Sequence, residues 1–141
     1  MRRLPLVLLL AAFAACDRSV DPITLNPTDL AVTGTYALAQ VNGHTLPFAA
    51  FVTGNDEWDL TSDIIVMGDD KTWSETTNYN VVSLATTNVT QQHTTTSGTY
   101  AIGSGVITFT RIDGGALTFT GSVTGTTLWV LFNGGQFTYS R

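Results

Sequence analysis

Strict alternation between apolar and hydroxyl-bearing residues is the feature that most limits how this chain can fold. From residue 117 to residue 124 the odd positions are Leu, Phe, Gly and Val, and the even positions are Thr, Thr, Ser and Thr. The same period occurs in residues 107–110 and 137–140. Because successive side chains of a strand point to opposite faces, this period predicts a sheet with one buried face.

Turn signals separate these runs from Thr33 onward. Asn42-Gly43, the DGG of residues 113–115 and the NGG of residues 133–135 are typical of tight hairpin connections. Short strands joined in this way predict one all-β domain over residues 33–141. We expect an antiparallel meander that removes its exposed edges by closing into a small barrel, with a β-sandwich as the alternative.

The amino-terminal segment has the pattern of a secretory signal. Met1-Arg2-Arg3 is basic, and an uncharged run extends from Leu4 to Ala15. This run is shorter than the roughly 20 apolar residues that a spanning helix needs. Residues 1–15 are therefore predicted to be a signal peptide.

Cys16 is the only cysteine, so no disulfide can form within one chain. Two cleavage sites compete: Ala12-Phe13-Ala14 fits ordinary secretion, whereas Phe13-Ala14-Ala15-Cys16 resembles the lipobox of bacterial lipoproteins. The lipobox implies that Cys16 is lipidated and that residues 16–32, rich in polar residues and proline, form a flexible tether. We expect a periplasm-facing protein of the bacterial cell envelope and leave open which membrane holds it.

The charge balance argues against nucleic acid as a partner. The chain has 11 acidic and six basic residues, and its net charge is −5. Two of the basic residues are Arg2 and Arg3, within the predicted signal. Phosphate binding requires a basic patch, which so acidic a chain does not supply.

Both ends of the predicted domain resemble small bacterial lipocalin-like lipoproteins. The motifs are TGTYAL at residues 33–38, VNGHTLP at residues 41–47 and the closing FTYSR at residues 137–141. The resemblance implies a barrel with room for a small apolar ligand. It also implies that Arg141 closes one end of the barrel by lying over Tyr36, which replaces the family's usual tryptophan.

Aromatic residues in strand-like runs are the candidates for contact with such a ligand. Their alternative role is to fill the core, which is what buried aromatic residues usually do. The candidate ligand-binding residues are Tyr36, Trp73, Phe109, Phe119 and Trp129.

The sequence carries no recognisable catalytic or cofactor motif. His44 and His93 lie outside any metal-binding spacing, and the acidic clusters 56–59 and 69–70 do not follow a calcium loop. We interpret these acids as solvated surface groups and expect neither metal nor cofactor. The expected function is thus non-catalytic ligand binding. The alternative is a structural or protein-interaction module with a filled barrel, whose contact surface is the apolar run of residues 128–132 or an exposed strand edge.

Overall fold

The computed structural model describes residues 32–112 and 117–141. The predicted signal peptide, Cys16 and the tether up to residue 31 lie outside the described residues, as does the turn at residues 113–115. Regular structure in the described part is entirely β. Nowhere in these two ranges does a helix have the length and apolar character needed to cross a membrane.

Ten strands follow one another along the chain. They are β1 (Gly34–Val41), β2 (His44–Thr45), β3 (Phe48–Thr53), β4 (Asp56–Met67), β5 (Thr72–Ser83), β6 (Val89–Gly103), β7 (Val106–Arg111), β8 (Thr118–Thr124), β9 (Thr127–Phe132) and β10 (Gly135–Ser140). Residues 44–51 are divided between β2 and the start of β3. The mostly polar residues 89–97 continue into GTYAIG at residues 98–103, and both stretches belong to the single long strand β6.

Antiparallel pairing of consecutive strands closes the sheet. Strands β4 to β10 pair in chain order, and β1 pairs with both β10 and β4. Gly34 of β1 lies opposite Met67 of β4, and Ala37 lies opposite Ser140 of β10. Eight strands therefore form a closed antiparallel barrel, and β2 and β3 are additions to it. The predicted barrel is confirmed, and a β-sandwich is not observed.

Strand β4 has two partners along one edge and β5 along the other. Its first half pairs with β3, whereas residues 64–67 pair with β1. The register with β5 shifts between Leu60 and Ser62, which is a bulge at Thr61. Because a bulge inserts one residue, Leu60 and Asp63 both point inward although their spacing is odd.

The core of the barrel consists of the apolar side chains predicted by alternation. Its fully buried members include Tyr36, Ile65, Phe109, Leu128 and Tyr139. Val32, the last residue of the predicted tether, is only 4% exposed and also belongs to this core.

At one end of the barrel, Asn42 and Gly43 both have positive φ, at 51° and 82°. These values fit the tight hairpin turn that the Asn-Gly pair predicts between β1 and β2.

Candidate ligand-binding cavity

The barrel is not completely filled by its side chains. A cavity of about 160 Å³ lies inside it. Its lining comes from strands on opposite sides of the barrel: Leu60, Asp63, Trp73, Glu75, Thr77, Tyr79, Thr96, Arg111, Phe119, Val130, Phe132, Phe137 and Tyr139. An apolar cavity of ~150 Å³ can hold a molecule of benzene size. The space here is therefore right for a small molecule and too small for a long acyl chain.

One wall of the cavity is polar and centres on Asp63. This residue is 4% exposed. Its Oδ2 accepts a 2.8 Å hydrogen bond from the Tyr139 hydroxyl, and its Oδ1 accepts a longer one of 3.3 Å from Thr77 Oγ1. Buried polar groups are expensive unless they are hydrogen-bonded. The two hydroxyl donors explain how the barrel tolerates a carboxylate in its interior.

Glu75 adds a second carboxyl group to the polar wall. It lies on β5 opposite Ile65, in the same inward-facing row as Trp73 and Thr77. Burial, the negative charge of Asp63 and a hydrogen bond to Asp63 raise the pKa of Glu75 to about 8. Burial also raises the pKa of Asp63, although hydrogen bonds from Tyr139 and Glu75 oppose that change. At neutral pH we therefore expect the two carboxyl groups to share one proton.

Arg111 is the cation of the cavity lining. Its charge partly offsets the rise in the pKa of Glu75 but does not cancel it, because burial has the larger effect. Arg111 occupies the last position of β7, and its backbone N–H donates to the Leu117 carbonyl at 3.0 Å. The charged lining thus comprises one cation, one carboxylate and one carboxylic acid.

Another wall of the cavity is aromatic and centres on Phe119. This ring stacks on Phe109 with centroids 4.8 Å apart, and Trp73 and Phe132 meet it edge-on at 5.4 and 5.5 Å. The Trp73 Nε1 donates to the Thr99 carbonyl at 3.1 Å, which fixes the orientation of the indole. A cavity with an aromatic wall and a few oriented polar groups is the usual form of a small-molecule site.

Arg141 and Tyr36 are in contact at one end of the barrel. The Arg141 Cζ lies 5.3 Å from the centroid of the Tyr36 ring. The Arg141 guanidinium also donates to the Thr33 carbonyl at 2.6 Å and, at 3.4 Å, to that of Gly125. Tyr36 in turn donates to the Val32 carbonyl at 2.9 Å. The arginine therefore joins the segment before β1 to the turn between β8 and β9.

Only part of the aromatic set singled out from the sequence meets at the cavity. Trp73 and Phe119 line it, and Phe109 lies behind Phe119. Tyr36 is fully buried beside Arg141. Trp129 lies on the other face of its strand from Leu128 and Val130, opposite Ser122 and Thr138 on its two sides.

Alternation alone did not single out the polar wall. Asp63, Glu75, Arg111 and Tyr139 were absent from the candidate residues. Glu75 is two residues from Trp73, and Tyr139 is two residues from Phe137. Because alternate residues of a strand share a face, Glu75 and Tyr139 point into the barrel with these aromatic residues. The bulge at Thr61 hides the corresponding signal for Asp63.

The histidines and the acidic clusters lie away from the cavity. Its lining, within the described residues, includes no histidine. His44 is exposed beside Phe48 at 6.3 Å, and His93 is exposed on β6 opposite Asn78. Asp70 Oδ1 accepts hydrogen bonds from the backbone N–H and the hydroxyl of Thr72. No group of acidic, histidine or cysteine side chains in the described ranges is arranged to hold a metal ion.

The outer face of β9 carries Trp129 and Leu131 among polar neighbours on the adjacent strands. Leu131 is 57% exposed, but its neighbours across the sheet are Thr120 on β8 and Gln136 on β10. Single exposed apolar side chains are normal on soluble proteins.

Comparison with known proteins gives no relative from which a role can be transferred. No protein-family model matches the sequence, and neither the curated proteins nor the solved structures include a significant match.

Proposed function

We propose that this protein is a lipid-anchored lipoprotein of the bacterial cell envelope that binds a small molecule inside its barrel, without catalysing a reaction. The cavity between the Asp63 wall and the Phe119 wall carries the binding part of the proposal. The basic and apolar start of the chain and the position of Cys16 support the anchoring part.

The sequence predicts an apolar ligand, and the composition of the cavity lining narrows this ligand class. A purely apolar molecule would leave the carboxyl groups of Asp63 and Glu75 facing a surface that cannot hydrogen-bond. Tyr139 and Thr77 already donate to Asp63, but an apolar molecule could not satisfy the remaining hydrogen-bonding capacity of the two carboxyl groups, and unmet capacity in a buried site costs free energy. We therefore propose a ligand with a compact apolar body and one polar group, placed against the aromatic and polar walls respectively.

Binding is tested with the full-length chain purified in a mild detergent. Native mass spectrometry reports any molecule that copurifies, and benzyl alcohol serves as a neutral probe of suitable size. Because Trp73 lines the cavity, we expect benzyl alcohol to change the tryptophan fluorescence. The change should disappear in Trp73→Phe and persist in Trp129→Phe, whose indole lies on the other face of the sheet. Failure to recover a small molecule, together with no fluorescence response, would contradict the binding proposal.

Anchoring is tested separately. The wild-type chain should partition into the detergent phase and carry a lipid mass on Cys16, whereas Cys16→Ser should remain in the aqueous phase. Wild-type protein without added lipid mass would contradict anchoring and leave the binding proposal unaffected.

A further inference from the structure

We propose that the ligand of this cavity is a small organic ammonium ion, a protonated amine on a compact apolar body. This inference rests on the proposed binding function and specifies its ligand class. Its structural basis is the placement of two carboxyl groups, Asp63 and Glu75, on adjacent strands within one cavity whose other wall is aromatic. A carboxylate pair facing π-surfaces is a complementary environment for a single positive charge.

The aromatic wall can accept the cation as well as its apolar body. Trp73, Phe119, Phe132 and Phe137 all line the cavity. The face of an aromatic ring attracts a cation, and this attraction strengthens when the site is desolvated. An amine whose nitrogen reaches the carboxyl groups would therefore contact these rings with its remaining surface.

The positive charge of an ammonium group can replace the proton that the two carboxyl groups share. Without a ligand, the shared proton relieves the repulsion between Asp63 and Glu75. When an ammonium ion enters, the O–H bond that holds this proton breaks, the proton passes to water, and the ligand's positive charge replaces it between two carboxylates. No covalent bond to the ligand forms, and the net charge within the cavity is unchanged.

The charge of an anionic ligand would not be compensated by the release of a proton from the two carboxyl groups. The titratable or charged groups that line the cavity are Asp63, Glu75, Tyr79, Arg111 and Tyr139. Among the described residues that line the cavity, Arg111 is the only cation, and it already interacts electrostatically with Glu75. An incoming anion would meet the Asp63 carboxylate, and the net charge of −5 on the whole chain would oppose its approach.

Three probes that share a ring and differ in charge test the proposal. Benzylamine, benzyl alcohol and benzoate are titrated into the full-length protein at pH 6.5 by calorimetry, in two buffers with different ionisation enthalpies. We expect benzylamine to bind most tightly and to release about one proton, seen as a buffer-dependent heat. We also expect its affinity to rise from pH 6 to pH 8, while that of benzyl alcohol stays constant.

Glu75→Gln removes the exchangeable proton and keeps the shape of the side chain. This variant should bind benzylamine about tenfold more weakly or worse, without proton release, and should retain benzyl alcohol. Glu57→Gln, outside the cavity on β4, is the matched control and should bind as the wild type does. If Glu75→Gln does not fold, the pH dependence and proton release of the wild type decide the question.

The outcomes separate this inference from the function on which it rests. Binding of benzyl alcohol or benzoate that equals or exceeds that of benzylamine would overturn the ammonium assignment and leave the cavity a binding site. Benzylamine binding without proton release would also overturn the assignment. Absence of binding by all three probes would overturn both proposals.

Discussion

The hydroxyl of Tyr139 donates a 2.8 Å hydrogen bond to Asp63 Oδ2 inside the barrel. The bond links β10 to β4, two strands that flank β1 in the closed sheet. The bond connects the two strands near the place where the barrel closes. It is also the shorter of the two hydroxyl hydrogen bonds to the buried Asp63 carboxylate. Its removal should therefore affect the stability of the fold and the ionisation of the cavity together.

Tyr139→Phe should destabilise the protein by about 1.5–3 kcal/mol at pH 7, the range for a hydrogen bond to a charged group. The free energy of unfolding is measured by urea denaturation. Tyr36→Phe is the matched control, because the Tyr36 hydroxyl donates to a neutral carbonyl, that of Val32. The control should lose only about 0.5–1.5 kcal/mol. Equal losses in the two variants would contradict a charged acceptor at Asp63.

Stability should fall as pH rises from about 4.5 to about 8. Glu75 has an ordinary pKa of 4.5 when unfolded and a pKa of about 8 in the folded protein. Between these values the folded chain holds a proton that the unfolded chain has released, so raising the pH favours unfolding. Asp63, whose pKa is also raised, contributes with the same sign.

The measurement is urea denaturation across this pH range with the wild type and Glu75→Gln. One proton corresponds to a slope of at most about 1.4 kcal/mol per pH unit. The glutamine variant should flatten the dependence, and Glu57→Gln should leave it unchanged. A wild-type stability that rises with pH throughout the window would show that Glu75 is ionised in the folded protein.

Much of this fold follows from local sequence rules, and the polar cavity wall does not. Alternation in residues 107–110 and 117–124 and the Asn42-Gly43 turn are enough to predict an antiparallel meander. The inward direction of Asp63 depends on the bulge at Thr61, which no pairing rule places from the sequence alone. The cavity volume depends on how side chains from several strands pack together, and that is decided only once the barrel has closed.

The run at residues 128–132 shows a second limit of sequence patterns. It is apolar at every position, so parity assigns no face to Trp129. The structure settles the question through register, because Leu128 and Val130 are buried and Trp129 therefore faces outward. An aromatic residue in an uninterrupted apolar run is therefore weak evidence for a position inside the barrel. A carboxylate two residues from Trp73 on the same strand is stronger evidence.

The contacts of Arg141 predict a difference between an arginine and a lysine at this position. Arg141→Lys keeps the charge but loses the planar group that reaches the Thr33 and Gly125 carbonyls while lying over Tyr36. We expect a loss of about 0.5–2 kcal/mol, the range for a cation–π contact, measured by urea denaturation. Arg141→Ala should lose at least as much. A lysine variant as stable as the wild type would show that charge alone is sufficient at this position.

Close packing at Gly98 gives the sharpest test of the barrel interior. A Cβ atom at this position would lie 2.0 Å from the Thr110 carbonyl oxygen and 2.7 Å from Trp73 Nε1. Because the carbonyl belongs to the backbone of the adjacent β7, it cannot move aside without opening the sheet. Gly98→Ala should therefore destabilise the protein by about 3 kcal/mol or more, at the upper end for overpacking.

Gly103 supplies the control on the same strand, since a Cβ atom there meets nothing within 4 Å. Gly103→Ala should change the free energy of unfolding by no more than about 0.5 kcal/mol, as is usual for surface substitutions. Displacement of the Trp73 indole in Gly98→Ala should also alter the tryptophan fluorescence of the folded state, which the Gly103 variant should preserve. If the two alanine variants were equally stable, β6 and β7 would not approach each other as closely as the register of Gly98 opposite Arg111 requires.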